Sequence, residues 1–190
     1  IDRLDAFQFQ NQYEWIAQSS DIDQFQIESG PPIAIFLACF TGAMDASKDC
    51  FAKQLVTHPS GPIAVIGGSR VTMPYGMSQL AGEMIEYCFE RYSDFEETPT
   101  LGRTLLFAKQ SVWNETSEGA GRVRSKFQVA VEQMAQTLSP PDHSLLAERR
   151  EHVRLMNLFG DPLLEIRQPK SLTVEADGTI VAGDELQVSW

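Results

Sequence analysis

Three cysteines in 190 residues are too few and too widely spaced to build a disulfide framework. An odd count leaves at least one thiol unpaired within the chain, unless another chain caps it. No two of the cysteines have the Cys-x-x-Cys spacing of a zinc site, and carboxylates such as Asp45, Asp49 and Asp161 are scattered. The sequence therefore predicts neither a disulfide scaffold nor a metal site, and we expect no cofactor.

Basic residues are scarce as well. Fifteen Lys and Arg stand against 26 Asp and Glu, which gives a formal net charge of −11. Nucleic-acid binding needs clustered Lys and Arg to meet the phosphates, and Arg149-Arg150 is the only adjacent basic pair. We therefore predict that nucleic acid is not a partner.

Long apolar stretches are missing too, because the longest covers only residues 33–40 and the next only 63–66. Both fall far short of the ~20 residues that a membrane-spanning helix requires, so no membrane span is predicted. The sequence opens Ile1-Asp2-Arg3, without an initiator methionine or a signal-peptide pattern. We therefore expect it to be an internal segment of a longer polypeptide.

The middle of the sequence alternates strand and helix patterns. The apolar runs at 33–39 and 63–66 suit strands buried on both faces of a parallel sheet. A helix predicted over 47–56 lies between them, and strand, helix and strand together form the βαβ unit of an α/β fold. Later elements are predicted from start and stop signals: helices over 77–91, 100–113, 121–138 and 145–158, then a strand over 163–166.

The two ends of the chain have a different character. Residues 1–30 are polar and Gln-rich, and we predict a short helix or loop followed by a linker. Near the other end, two alternating segments flank Asp177-Gly178, which predicts a β hairpin. We expect one domain over 1–167 and a β tail over 168–190, which could begin an Ig-like sandwich.

Cys39 is the strongest candidate for chemistry. It lies at the carboxyl end of the first apolar strand, the edge of an α/β sheet where reactive groups gather. Its neighbours Ala38, Gly42 and Ala43 are small enough to let a substrate carbonyl approach. The alternative is a buried core cysteine, because free cysteine is among the most buried residue types.

Four short segments then follow one another in a particular order. They are Pro32-Ile-Ala-Ile-Phe-Leu-Ala-Cys-Phe-Thr-Gly-Ala-Met44, Gly61-Pro-Ile-Ala-Val-Ile-Gly-Gly-Ser-Arg70, Thr100-Leu-Gly102 with Ala108-Lys109, and Leu158-Phe-Gly-Asp-Pro-Leu163. In sequence and order they resemble the gingipain family of cysteine peptidases, in which the nucleophile strand ends Ala-Cys-x-x-Gly. The resemblance covers residues 31–167.

This resemblance implies a fold and an activity. The fold is α/β, a caspase-like three-layer sandwich with a mainly parallel sheet that is incomplete at its N-terminal end. The activity is that of a thiol protease, a cysteine endopeptidase that cleaves protein or peptide substrates through a thioester acyl-enzyme. Cys39 would be the nucleophile of a Cys–His dyad. Family members are commonly exported, so a secreted or cell-envelope location is expected.

The family's histidine lies in a Gly-His-Gly segment upstream of the cysteine, and residues 1–30 contain no histidine. We therefore expect an upstream part of the same polypeptide to supply it. The sequence offers three other histidines. His58 is predicted in a solvated turn at the wrong edge of the sheet, His143 in the first turn of a helix, and His152 on the solvated face of a charged helix.

The segment 69–77 resembles the family segment that lines the primary specificity pocket. Met73, Tyr75 and Met77 are accordingly predicted to form an apolar substrate-binding wall, although an ordinary loop into the next helix is an equal alternative. Cys50 and Cys88 fall on apolar helix faces and are predicted to pack in the core.

Other functions stay open. Nothing in the sequence separates hydrolysis from transpeptidation within the family. A catalytically silent caspase-like scaffold that binds a partner is the rival hypothesis. A flavodoxin-like binding domain is a weaker one, because Gly67-Gly68-Ser69 lacks both the Lys-Ser/Thr of a P-loop and the spacing of a dinucleotide fingerprint.

Overall fold

The computed structural model describes residues 3–9, 12–27, 30–89, 98–114 and 126–167. The secondary-structure elements follow in chain order: β1 Arg3–Phe9, β2 Gln12–Gln18, a 3-10 helix Ser19–Gln24, β3 Ile33–Phe36, α1 Phe51–Thr57, β4 Ala64–Gly68, α2 Pro74–Phe89, α3 Leu101–Asn114, α4 Lys126–Leu138, α5 Leu145–Leu155 and β5 Met156–Phe159.

The central sheet has the strand order β3-β4-β5. β3 is parallel to β4, with Ile35 opposite Ile66, and β5 is antiparallel to β4. Every residue of β4 is buried, as expected for a central strand with helices on both faces. β1 and β2 form a separate antiparallel hairpin.

Successive residues of β4 face two different cores, because side chains alternate across a strand. Ala64 and Ile66 pack into a cluster with residues of α2 and α3. Val65 packs on the opposite face with Phe51 and Leu55, which lie one turn apart on α1. Helices therefore cover both faces of the sheet, and the predicted three-layer α/β sandwich is confirmed.

The predicted strand–helix–strand unit is confirmed as β3, α1 and β4. The helix predicted over 47–56 begins later, at Phe51, because Cys50 still has extended backbone. The helices predicted over 77–91 and 100–113 correspond to α2 and α3. Of the helix predicted over 121–138, the described part is α4, Lys126–Leu138.

Three predictions of local structure are wrong. Near the start of the chain, the β1–β2 hairpin stands where a helix or loop was predicted; the 3-10 helix follows it, and residues 25–27 and 30–32 are irregular, which agrees with the predicted linker. The helix predicted over 145–158 ends at Leu155, and the chain continues directly into β5, which pairs with β4. The strand predicted over 163–166 is only an isolated bridge between Glu165 and Thr100.

The predicted hairpin of residues 171–190, like the proposed β tail, lies outside the described residues. In the part of the chain that the structure does describe, no helix is both long and apolar enough to cross a bilayer.

Candidate active site at the end of strand β3

Cys39 is the third residue beyond β3, in a turn at the carboxyl edge of the sheet, and it is half-buried. The next residue, Phe40, has a φ of 57°, a left-handed conformation that costs about 1–2 kcal/mol for a residue with a Cβ. Its amide donates to the Arg70 carbonyl at 3.0 Å. Such strained positions cluster at functional sites, where the surrounding structure holds them.

The sulfur of Cys39 lies against Thr72, a buried residue of the loop after β4. The Thr72 amide nitrogen is 3.3 Å from Sγ, the Thr72 hydroxyl 3.5 Å, and the Thr72 carbonyl oxygen 3.4 Å. The Thr72 amide and hydroxyl can donate hydrogen bonds to a thiolate, and the Thr72 carbonyl oxygen can accept one from a thiol. The same residue can therefore bind the sulfur in either form. Thr72 was not singled out from the sequence.

The turn that contains Cys39, residues 38–43, packs closely on β4. The Gly42 amide donates to the Gly68 carbonyl at 2.8 Å, and the Gly68 amide donates to the Thr41 hydroxyl at 3.2 Å. A Cβ on Gly42 would lie 2.7 Å from the carbonyl oxygen of Gly67. The Gly in the Ala-Cys-x-x-Gly segment therefore has a steric reason: only glycine allows the turn to approach the strand.

An ion pair joins the same two loops at the surface. Arg70 contacts Asp45 through two nitrogen–oxygen pairs, at 2.9 and 2.5 Å. The hydrogen bond from Arg70 holds the pKa of the Asp45 carboxyl below its ordinary value of 3.8. Because both side chains are exposed, this pair orients the loops more than it stabilises the protein.

The start of α2 follows directly after Thr72 and is capped from another helix. Pro74 occupies the first helical position, where its missing N–H costs nothing, and Met73 before it has no side-chain oxygen to cap the helix. The Met73 amide donates instead to Nε2 of His152 at 2.7 Å, and the Gly76 amide donates to Oε1 of Glu148 at 2.7 Å. Both acceptors belong to α5.

The placement of His152 corrects the sequence prediction. It was predicted on a solvated face, yet it is only 1% exposed, and its Nδ1 is 2.7 Å from the carbonyl oxygen of Glu148. Since Nε2 accepts from Met73, Nδ1 carries the proton and donates. Gly76 makes room for this ring, because a Cβ there would lie 2.4 Å from Nδ1 of His152.

The other two histidines contact other parts of the chain. Nε2 of His143, which precedes α5 instead of lying in its first turn, is 2.6 Å from Oε2 of Glu148. His58 follows α1 at the amino end of β4, the opposite edge of the sheet from Cys39, as predicted. None of the three histidines is hydrogen-bonded to Cys39 in the described part of the chain.

A cavity of about 420 Å³ lies between the start of α2 and the last turns of α4. Its lining includes Met73 and Tyr75, two of the three residues predicted to bind substrate. Apolar side chains of α4 form the opposite side, and Glu148 and His143 provide a polar end; the α4 residues are Val131, Met134, Ala135 and Leu138. Met77 does not line this cavity and is 8% exposed on α2.

Cys50 and Cys88 are buried, at 3% and 7% exposure, as predicted for core cysteines. Burial raises the pKa of the Cys88 thiol, although the Thr104 hydroxyl opposes the shift slightly. Cys39 is the most accessible of the three, because it alone is half-buried and the others are fully buried.

Comparison with known proteins bears on this site. The model of peptidase family C25 matches residues 4–167. The crystal structure of the Arg-specific cysteine proteinase gingipain R matches with a TM-score of 0.56 at 18% sequence identity, so it shares the fold. That match covers 86% of this chain and 32% of the other, so the chain spans about a third of the length of that protein. No curated protein matches the sequence.

Proposed function

The chain belongs to peptidase family C25, and on that premise we propose that it is the nucleophile-bearing part of a cysteine endopeptidase. The observation that carries the proposal is the position of Cys39: half-buried, just beyond the carboxyl end of β3, in a strained turn. Reactive groups of open α/β sheets lie at this edge. A purely structural cysteine needs neither the exposure nor the strain.

The chemistry assigned to Cys39 is acyl transfer. Its thiolate attacks the scissile carbonyl carbon, and the carbonyl oxygen takes up the negative charge of the tetrahedral intermediate. The Cys39 amide has no hydrogen-bond acceptor among the described residues, so it is available to donate to that oxyanion. Collapse of the intermediate breaks the C–N bond, a histidine protonates the leaving amine, and water hydrolyses the thioester.

The histidine is proposed to come from a part of the polypeptide upstream of Ile1. The chain's own histidines support this by elimination, because His152 and His143 are engaged with α2 and Glu148, and His58 is at the wrong edge. The edge of β3 away from β4 has no partner strand in the described residues. A parallel strand added there would end beside Cys39 and could carry the base.

Exposed apolar residues on β3 and just after it agree with such an addition. Ile35 is 39% exposed and Leu37 is 42% exposed, although both belong to the run predicted to be buried on two faces. Unpaired strand edges with apolar side chains invite pairing with another strand. The polypeptide upstream of Ile1 is therefore the partner we propose for this edge.

Met73, Tyr75 and Met77 are proposed to shape substrate binding. Met73 and Tyr75 line the cavity beside the start of α2, and Met73 directly follows the residue that holds the sulfur. Met77 supports this wall from inside α2. Because the cavity is lined mainly by apolar side chains, it would favour an apolar substrate side chain. A secreted or cell-envelope location is proposed from the family alone.

The test uses a polypeptide that extends upstream of Ile1, treated near neutral pH with iodoacetamide or an acyloxymethyl-ketone probe. We expect Cys39 to be modified at least ~10-fold faster than Cys50 or Cys88, since an activated thiolate is the reactive species. Cys39→Ala should abolish peptide hydrolysis, and Cys88→Ala serves as the matched control. If Cys39→Ala retains hydrolysis, Cys39 is not the nucleophile and the proposal fails. If Cys39 is labelled only after denaturation and the parent protein does not hydrolyse peptides, the chain is a silent scaffold.

A further inference from the structure

α5 reaches the loop that holds the nucleophile. Thr72 contacts the Cys39 sulfur with its amide, hydroxyl and carbonyl groups, and the next residue, Met73, donates its amide to His152. Two consecutive residues therefore join the sulfur on one side to α5 on the other. Any displacement of Met73 moves Thr72, because a planar peptide bond connects them.

The same helix fixes the first turn of α2 at a second point. Glu148 accepts from the Gly76 amide at 2.7 Å, and it is 5% exposed. The first amide groups of a helix have no partner within the helix, so these two acceptors satisfy donors that would otherwise be unpaired. A carboxylate at this end also suits the positive end of the helix dipole. The start of α2 is therefore held in one place by side chains of α5.

The two acceptors are coupled to each other. Nδ1 of His152 donates to the carbonyl oxygen of Glu148, which fixes the ring and presents Nε2 as the acceptor for Met73. The second oxygen of the Glu148 carboxylate is 2.6 Å from Nε2 of His143. A fixed tautomer and a fixed carboxylate are what a positioning device requires.

We propose that His152 and Glu148 are positioning residues for the nucleophile: they hold the start of α2, and through Met73 and Thr72 they fix the Cys39 sulfur. Neither is hydrogen-bonded to the sulfur, so their proposed role is positioning and not catalysis. This inference rests on the proposed role of Cys39 and adds a second helix to the site. Misplacement of a reacting group by about 1 Å costs up to ~100-fold in rate, which sets the size of the effect.

The first test compares three variants in the polypeptide that carries the upstream part. His152→Leu fills the space but removes the acceptor, and we expect kcat to fall about 10- to 100-fold with KM changed less than ~3-fold. His152→Gln offers a carbonyl oxygen to Met73 and an N–H to Glu148, and it should restore kcat to within ~5-fold of the parent. His58→Leu, the same change at the opposite edge of the sheet, should leave kcat unchanged.

A second pair of variants does not change residue 152 itself, so the result does not depend on whether His152→Leu folds. Gly76→Ala puts a methyl group 2.4 Å from the His152 ring and must displace it, whereas Gly82→Ala on the same helix meets its nearest neighbour, Phe127, at an ordinary 3.7 Å. We expect Gly76→Ala to slow alkylation of Cys39 and lower kcat at least ~5-fold, and Gly82→Ala to do neither.

The outcomes separate this inference from the function it rests on. If Cys39→Ala abolishes hydrolysis but a folded His152→Leu protein keeps the parent kcat, only the positioning role is overturned. It is also overturned if His152→Gln is as slow as His152→Leu, or if both alanine variants behave alike. If Cys39→Ala remains active, the proposed function itself fails. A loss of kcat in His152→Leu, together with its recovery in His152→Gln, supports the inference.

Discussion

Phe40 bears the conformational strain of the turn that contains Cys39. Its left-handed backbone is held by the bond from its amide to Arg70, and its half-buried side chain packs against the core around α1. Gly42 then brings the turn against β4. Because these contacts act on the backbone on either side of Phe40, the preceding residue, Cys39, has little freedom to move its sulfur away from Thr72.

Cys88 should respond to pH differently in the folded protein and in the unfolded chain. Burial raises the pKa of Cys88 above its ordinary value of 9.0, so the folded protein keeps a proton that the unfolded chain loses. The resulting stabilisation is fully present below pH 9.0 and is lost as the pH rises through the higher folded pKa. At pH 8 we expect iodoacetamide to modify Cys88 at least ~10-fold more slowly in the native protein than in urea.

Cys50 serves as the comparison in this experiment, because it is buried like Cys88. Mass spectrometry of each cysteine peptide over time gives the separate rates. Native-state modification of Cys88 at the rate found in urea would contradict its burial.

At the scale of elements, α5 contacts two different helices, α3 and α2. Arg150 and Arg154 lie over the Trp113 ring of α3, each 5.5 Å from its centroid. Glu148 and His152 face the start of α2. A helix rich in charge therefore contacts other helices on two sides. Glu148 and His152 are buried there, whereas Arg150 and Arg154 stay exposed to solvent.

The N-terminal cap of α5 should contribute to the stability of the protein. The Ser144 hydroxyl accepts from the Ala147 amide at 3.2 Å, directly before Glu148. Ser144→Ala removes this cap and should lower the free energy of unfolding by about 0.5–2 kcal/mol, measured by urea denaturation. Ser78→Ala, in the interior of α2, is the control and should change it by less than ~0.5 kcal/mol. Equal effects would mean that the cap contributes nothing specific.

The sequence predicts β3, α1, β4 and the four later helices because each has a clear hydrophobic period or an apolar run. β5 was missed because Met156 continues α5 without a glycine or proline to end the helix. The boundary between α5 and β5 is set by tertiary contacts. β5 pairs with β4, and Lys109 donates to the Met156 carbonyl at 2.7 Å. Local patterns do not contain that information.

Part of the site could also be predicted and part could not. Cys39 was singled out as the candidate nucleophile from its place after an apolar run and from family resemblance, and that role stays a prediction; the contacts of Thr72 and His152 were not predicted. The charged residues around His152 indicated a solvated helix face, because single-sequence patterns do not show which helix packs against it. One signal was available: Pro74 starts a helix whose preceding residue cannot cap it, so an acceptor had to come from elsewhere.

At the scale of the whole molecule, the sheet is covered on both faces, and its edge strands in the described residues are β3 and β5, each of which pairs only with β4. α1 lies on one face and α2 with α3 on the other, and β4 and β5 are paired. β3 presents its free edge beside Cys39, with Ile35 partly exposed. The unpaired edge of β3 and Cys39 lie side by side, so the segment proposed upstream of Ile1 could both pair with that edge and supply the proposed histidine.

Two isoleucines that face each other across the β3–β4 ladder test this idea. Ile66 is fully buried, and Ile66→Ala should lower the free energy of unfolding by about 2–5 kcal/mol both in this chain and in a longer polypeptide. In a polypeptide extending upstream of Ile1, we expect Ile35→Ala to cost nearly as much, because an added strand would bury its side chain. Denaturant unfolding of both variants gives the comparison. A loss below ~1 kcal/mol for Ile35→Ala would leave β3 exposed in the longer protein, and the histidine would then have to reach Cys39 by a route other than a neighbouring strand.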